Sequence, residues 1–293
     1  MIAGLGGNTA FTVDTLLRGE VQLASPPEIF LQVSEVIEDP AKSNRDIERI
    51  ILHDPALAAR LLRLANSAYY GFPRQIASLS RAISIIGLQE LRDLVLSTVM
   101  VERFSRLPNR LMDMREFWRA SVRCALWAKY LGRRQPRAKT LRSVFVCGLL
   151  HEIGRLVVYA KIPELARAAI LLSEAEGIEE TQAERATYGF DHYQVGAELA
   201  HRWRLPEVFV ATLKGHGIPS ETSAYPRETA LMTLASRLSL TEIESPERLE
   251  ETLPELSSLL DFLGLKAHLL PEVLAEVESQ FEEIFHLLFD GRV

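Results

Sequence analysis

The chain of 293 residues carries only 2 cysteines, Cys124 and Cys147, each inside an apolar helical pattern and without a CxxC spacing. This excludes a disulfide framework and a cysteine-rich zinc module, and it fits buried thiols in a reducing compartment. Long hydrophobic runs are also lacking. The most apolar windows, 94–101 and 144–160, are too short or are broken by His151, Glu152 and Arg155, so neither reaches the roughly 20 apolar residues of a membrane span. The first 11 residues have no basic lead, apolar core or processing site, which makes them a loose terminus and sets the expected location as cytoplasmic. Repeats, low-complexity tracts and sustained apolar–polar alternation are missing too, which argues against a solenoid, a disordered chain and a sheet-based fold.

What is present is ordinary globular composition, 47% apolar and 25% charged, and a length that suggests about two domains at roughly 150 residues each. Helix grammar repeats along the chain. Ser25-Pro26 opens a helix carrying Ile29, Phe30, Val33, Val36 and Ile37, which Asp39-Pro40 stops. Asn44 caps another, Asp54-Pro55 opens a third with Leu57, Leu61, Leu62 and Leu64, and Ser80 opens a short one that Gly87 closes. A longer helix follows through Leu91, Leu94, Val95 and Thr98. Residues 104–113 contain Pro108 and Asn109 without apolar periodicity and mark a boundary between two helical bodies. Beyond it, helices are expected over 114–131, 141–153, 164–175, 191–203, 207–216, 228–240 and 271–289, and the fold class is all-α.

Charge is unevenly spread beneath the formal net of −6. From Glu247 onward there are 11 acids and 3 bases, whereas residues 101–142 hold 12 bases against Glu102, Asp113 and Glu116. Arg115, Arg119 and Arg123, each four apart, share one helix face, which offers paired donors to an anionic ligand or, equally, partners for the acidic tail. The tail's last helix places Leu274, Val277, Phe281, Ile284, Phe285 and Leu288 on one side, to dock on its own body or on a second chain.

Two clusters invite chemistry. His151, His192, His201 and His216 lie at helix ends or glycine turns, with Glu152 beside the first, and imidazole with carboxylate is the material of a borderline metal site. Asn66, Tyr69 and Tyr70 offer flat area and hydrogen bonds for an interaction surface, against the plainer reading of Asn66 and Gly71 as a helix terminator.

Asp54-Pro-Ala-Leu-Ala-Ala-Arg-Leu-Leu-Arg-Leu-Ala-Asn-Ser-Ala-Tyr-Tyr-Gly, then Ile76-Ala-Ser-Leu-Ser-Arg-Ala-Ile-Ser-Ile-Ile-Gly, resembles the front half of the HDOD family, the HD-related output domain of bacterial signalling proteins. The likeness continues through Cys147-Gly-Leu-Leu-His-Glu-Ile-Gly-Arg-Leu, His192-Tyr-Gln-Val-Gly, Trp203-Arg-Leu-Pro and the His216 region, over about residues 20–240. It implies one all-helical module of two sub-bodies: a loose segment over 1–19, a helical half over 20–104, an HD-like bundle over 113–240, and an acidic helical extension over 241–293. The second half would be a degenerate relative of metal-dependent HD and HD-GYP phosphohydrolases.

Carried over by position, the resemblance leaves His151, Glu152, His192 and His216 as a vestigial or single-metal set, with Fe, Ni or Zn as the ion if one binds. Ala120 stands where a first histidine is usual, Glu152 replaces the usual Asp, Gly217 breaks a double histidine, and Ser236 falls near the closing Asp. Arg155 follows the pair but is permanently protonated, unlike a lysine that could be tuned. The implied role is a non-catalytic signal-transduction output or adaptor protein with no catalytic residue and no obligatory cofactor. Its expected partners are other signalling proteins or a second copy, with neither membrane nor nucleic acid among them. The alternatives are an HD-type phosphohydrolase of a nucleotide or cyclic dinucleotide, and a binding module for an anionic ligand such as nucleic acid or a cyclic dinucleotide.

Overall fold

The computed structural model describes residues 11–18, 26–68, 70–107, 109–135, 143–217, 223–240 and 246–289, and among these every regular element is helical. The first half runs α1 (Val13–Leu17), α2 (Glu28–Glu38), α3 (Asn44–Leu52), α4 (Pro55–Ala65), α5 (Leu79–Ile86) and α6 (Leu88–Phe104). The second begins with α7 (Met114–Arg133), α8 (Val144–Leu150), α9 (Ile153–Lys161) and α10 (Pro163–Glu176). It continues through α11 (Glu180–Tyr188), α12 (His192–Arg202), α13 (Glu207–Gly215) and α14 (Pro226–Leu240). Two further helices, α15 (Pro246–Leu263) and α16 (Leu270–Phe289), complete the described chain. No helix among the described residues is long and apolar enough to cross a membrane.

Short polar side chains start the helices where the first N–H groups lack partners. Asp54 accepts from Leu57 N–H at 2.9 Å with Pro55 in the first helical position, and Asp113 accepts from Arg115 N–H at 2.7 Å. Asp191 and Gln194 form a reciprocal capping box at the start of α12.

Several boundaries differ from the sequence expectation. The helix foreseen over 141–153 is two helices, because His151 and Glu152 form a turn between α8 and α9. Gly132 does not end α7; it is buried inside the last turn. Helices α11 and α15 were not expected: α11 buries only Ala183, Glu184 and Tyr188, and α15 contains Pro254, although Leu249, Leu256, Leu260 and Leu263 give it a buried stripe. Within the supposedly loose first 19 residues, a Thr12–Thr15 capping box starts α1, whose Leu16 and Leu17 are buried.

Helix α7 is the hub, with Trp118, Val122, Ala125, Leu126 and Leu131 removed from solvent and α8, α14 and α16 packed around it. The 104–113 connection does not separate two cores. Phe104 packs edge-on against Trp203 with ring centroids 5.9 Å apart, and one apolar cluster runs from Leu16 to Phe289. The acidic tail docks on its own chain: α16 buries Val277, Phe281, Ile284, Phe285 and Leu288. Beside this seam Arg119 meets Glu282 at 2.8 Å, Arg123 meets Glu278 at 3.4 Å, and Arg134 reaches Glu272 and Glu276 at 2.8 and 3.0 Å. Partly exposed pairs of this kind contribute up to about 1 kcal/mol each, whereas a fully buried Phe or Leu contributes roughly 1.5–3 kcal/mol. The apolar face therefore holds the tail and the charges set its register.

Lys129 of α7 is buried, its ammonium 5.2 Å from the Tyr130 ring centroid. Burial, with Arg133 nearby, pushes its pKa down to about 6 from 10.5. Between those values the unfolded chain binds the extra proton, so stability rises with pH. Lys129→Met should flatten that rise in urea titrations run across the window; an unchanged slope would show that another group causes it.

Candidate functional site

Gly154 fixes the geometry of the histidine cluster. A Cβ there would fall 2.0 Å from the His192 carbonyl oxygen and 2.6 Å from the Gly196 nitrogen, so glycine lets α9 and α12 touch backbone to backbone. The contact sets His151 and Glu152, in the α8–α9 turn, and Arg155, on the first turn of α9, against His192 at the start of α12. His216 enters from the end of α13, and Glu180 and Glu184 from α11.

All three imidazoles are anchored through Nδ1. His151 Nδ1 lies 2.7 Å from the Gly148 carbonyl, His216 Nδ1 lies 3.1 Å from that of Leu213, and His192 Nδ1 lies 2.7 Å from the Glu184 carboxylate. Glu152 receives two of the Nε2 atoms, from His216 and His192, both at 3.1 Å. His151 Nε2 is buried without a partner. Imidazoles held by Nδ1 with Nε2 turned inward are poised for a metal, and the donor atoms of His151, Glu152 and His216 lie within 4.8 Å of one another.

Arg155 closes the cluster. Its Nε donates to Glu152 at 2.9 Å and its Nη1 to Glu180, whose other oxygen accepts from the Tyr159 hydroxyl at 2.9 Å. Burial works against the charge of Arg155, but Glu152 and Glu180 outweigh it and raise its pKa well above the usual arginine value. Burial likewise works against the Glu152 carboxylate, yet Arg155 and His192 hold it well below the usual range. For His192, burial and Arg155 are overcome by Glu152 and Glu184, which lift its pKa to about 9. Its Nδ1 lies on Glu184, and its Nε2 lies 3.1 Å from Glu152 and 3.2 Å from Arg155 Nη2. Burial, helped by His216, pushes His151 down to about 4, so it stays neutral.

This donor set does not fit a hydrolytic metal centre. The candidate ligands form two adjoining triads, His151 with Glu152 and His216, and His192 with Glu180 and Glu184, joined where His192 Nε2 lies 3.1 Å from Glu152. Arg155 sits between the groups, bonded to Glu152 and Glu180. Two unit charges 4 Å apart repel by about 4 kcal/mol at the effective dielectric of a protein surface, so a guanidinium already on Glu152 opposes a second cation. Ala120 brings no donor, and Ser236 brings only a hydroxyl. The place of a side chain at 217 is taken by Tyr193, whose ring would lie 2.3 Å from a Cβ there.

The remaining candidates have other partners. Asn66 Nδ2 donates to the Leu62 and Ile76 carbonyls at 2.8 and 2.9 Å, and its Oδ1 accepts from Ile76 N–H at 2.7 Å, which closes α4 and pins the following loop. The Tyr70 hydroxyl donates to Glu90 at 2.8 Å; Tyr69 lies outside the described residues. The Arg119 and Arg123 guanidiniums lie 4.5 and 4.2 Å from the Phe281 ring centroid and pack under the tail, while Arg115, 5.8 Å from the Phe285 ring centroid, stays exposed. The sequence reading missed Glu180, Glu184 and Tyr193. Glu180 and Glu184 are one helical turn apart just upstream of His192, and that spacing was their only signal.

A family model described as the HDOD domain matches residues 23–219. An uncharacterised protein of Treponema pallidum (strain Nichols) is 26% identical over 258 residues, 87% of this chain but 49% of that protein, so the chain spans about half the length of this curated relative. A Shewanella amazonensis SB2B structure, provisionally assigned as a phosphohydrolase, is 25% identical with a TM-score of 0.74, covering 94% of this chain and 96% of its own. An HDOD domain protein of unknown function from Geobacter sulfurreducens is 24% identical with a TM-score of 0.68, covering 95% and 98%. A Marinobacter aquaeolei VT8 protein, provisionally assigned to signal transduction, is 20% identical with a TM-score of 0.67, covering 94% and 60%.

Arg155→Met should leave Glu152 and Glu180 without their shared cation and cost about 3 kcal/mol in urea unfolding, as breaking a buried pair does. A loss below about 1 kcal/mol, the level of an exposed pair, would show that the guanidinium is not integral to the cluster.

Proposed function

Because the chain belongs to the HDOD family, we propose that it is a non-catalytic signal-transduction module, an output or adaptor that acts through contacts with other signalling proteins. The observation that carries this reading is the Arg155 guanidinium seated on Glu152 and Glu180. Metal-assisted hydrolysis needs an ion that lowers the pKa of a bound water and neutralises phosphate charge. A fixed guanidinium can balance charge but cannot activate water, and it does not leave at any physiological pH. The provisional names of the Shewanella and Marinobacter relatives point one toward hydrolysis and the other toward signalling. Ala120, Gly217 and Ser236 favour the second.

A protein-contact role is supported by α10. Only Ala166 and Ala169 of this helix are buried, whereas Leu165, Ala168, Leu171 and Ala175 share one outer arc and are exposed. Apolar side chains gathered on an outer face suit a partner or a second copy.

Metal analysis of untagged protein, with hydrolysis assays on nucleotides and cyclic dinucleotides in added Mg, Mn, Ni or Zn, tests the reading. Far less than one metal per chain and no turnover are expected; a stoichiometric ion with turnover would establish the phosphohydrolase alternative. The double variant Leu165→Lys, Leu171→Lys should lose self-association or capture of a signalling protein with less than about 0.5 kcal/mol change in stability, as surface changes allow. Capture unaffected by both substitutions would move the contact surface away from α10.

A further inference from the structure

Beside the closed cluster lies an open cavity of about 560 Å³, within the range of small-molecule sites. Gly217 and Ser236, two of the positions where the metal-ligand pattern is lost, both line it. At Ser236 a small side chain leaves room where a larger ligating one would stand, while at Gly217 that space is taken by the Tyr193 ring. His216 contributes the cavity's inner wall, and the Tyr193 ring, 4.1 Å from it between centroids, forms a flat side.

The rest of the lining has a definite chemistry. Glu179 and Glu255 supply carboxylates, Arg185 and Arg237 guanidiniums, and Gln182 an amide. Arg185 also binds Asp191. Opposite charges are thus present in equal number around the cavity, so a polyanion gains no net attraction there. Carboxylates, an amide and guanidiniums instead bring both hydrogen-bond acceptors and donors to the lining. Adjacent hydroxyl groups on a ring present the matching pairs, and the Tyr193 ring can cover the apolar face of a sugar or a base.

We infer that this cavity binds an uncharged ligand carrying a vicinal diol, of the size of a nucleoside or a simple sugar, and holds it as a signal without turning it over. The inference rests on the non-catalytic reading only for that last clause. Glu255 and Gln182 read the diol, Tyr193 covers the ring, and the cavity joins α11, α14 and α15, so occupancy ties together elements on both sides of the relic centre.

Isothermal titration of the full chain with adenosine, guanosine, cytidine, glucose, 2′-deoxyadenosine, AMP and ATP tests it, with each mixture checked afterwards for chemical change. At least one diol-bearing neutral compound should bind; if it is adenosine, 2′-deoxyadenosine should bind about 10-fold more weakly, the loss expected for a hydrogen bond to a charged group. ATP should bind more weakly than adenosine. Glu255→Ala and Gln182→Ala alter exposed positions and should each weaken binding about 10-fold with no change in the unfolding midpoint. Binding by a sugar and by no nucleoside supports the inference and fixes the source of the diol. Equal binding of the deoxy compound, tighter binding of ATP, or no heat with any neutral compound at millimolar concentration overturns it. Conversion of a bound nucleotide overturns the non-catalytic reading while leaving the cavity assignment standing.

Discussion

A guanidinium cannot be neutralised inside a protein, so wherever Arg155 is drawn out of water, anions must come with it. Here they are Glu152 and Glu180, and each brings a further obligation. Glu152 also accepts from His192 and His216, His192 leans on Glu184, and Tyr159 bonds Glu180. Removing any charged member strands the others in a poor solvent for charge, at several kcal/mol, whereas the intact set roughly balances its desolvation. The cluster thus adds little net stability but makes the arrangement of α9, α11, α12 and the end of α13 all-or-none. A cation is needed at its centre, and a side chain three residues beyond Glu152 supplies it.

The packing around the cluster serves this closeness. Gly154 brings α9 onto α12, and the capping box of Asp191 and Gln194 starts α12 where His192 must stand. Around this the apolar core on α7 is continuous with both halves, so the first helices are not a separable regulator. The tail adds a layer on α7 that engages Arg119 and Arg123 of the arginine row in an intramolecular seam. Charge asymmetry along the sequence was therefore a folding signal here.

The all-helical class, the amphipathic α16 and the helices with strong apolar stripes were legible because burial leaves a 3.6-residue period in the sequence. Helices α11 and α15 were not, since α11 buries little and is placed by its carboxylates and α15 carries an internal proline. The ligand pattern located His151, Glu152, His192 and His216 near one another, but not their division into two groups. Arg155 bonds a member of each group, and its reach to Glu180 across 25 residues is a tertiary fact that no local spacing encodes. Tyr193 was hidden for a related reason: Gly217 read as a missing ligand, whereas it is the space a tyrosine ring occupies. Asn66, with local partners only, was readable as a terminator from the start.

On the proposed reading, an HD-like frame with Arg155 seated on Glu152 and Glu180 keeps a rigid centre without the metal chemistry. Around it lie an electrostatic knot, a neighbouring cavity and an outer helix with exposed apolar side chains. The most direct test of this account is an anomalous-scattering crystal structure of the protein grown in excess zinc or manganese. The account predicts Arg155 between Glu152 and Glu180 with no anomalous peak at His151, Glu152 and His216; a strong peak bound to those three residues, with Arg155 turned away, would contradict it.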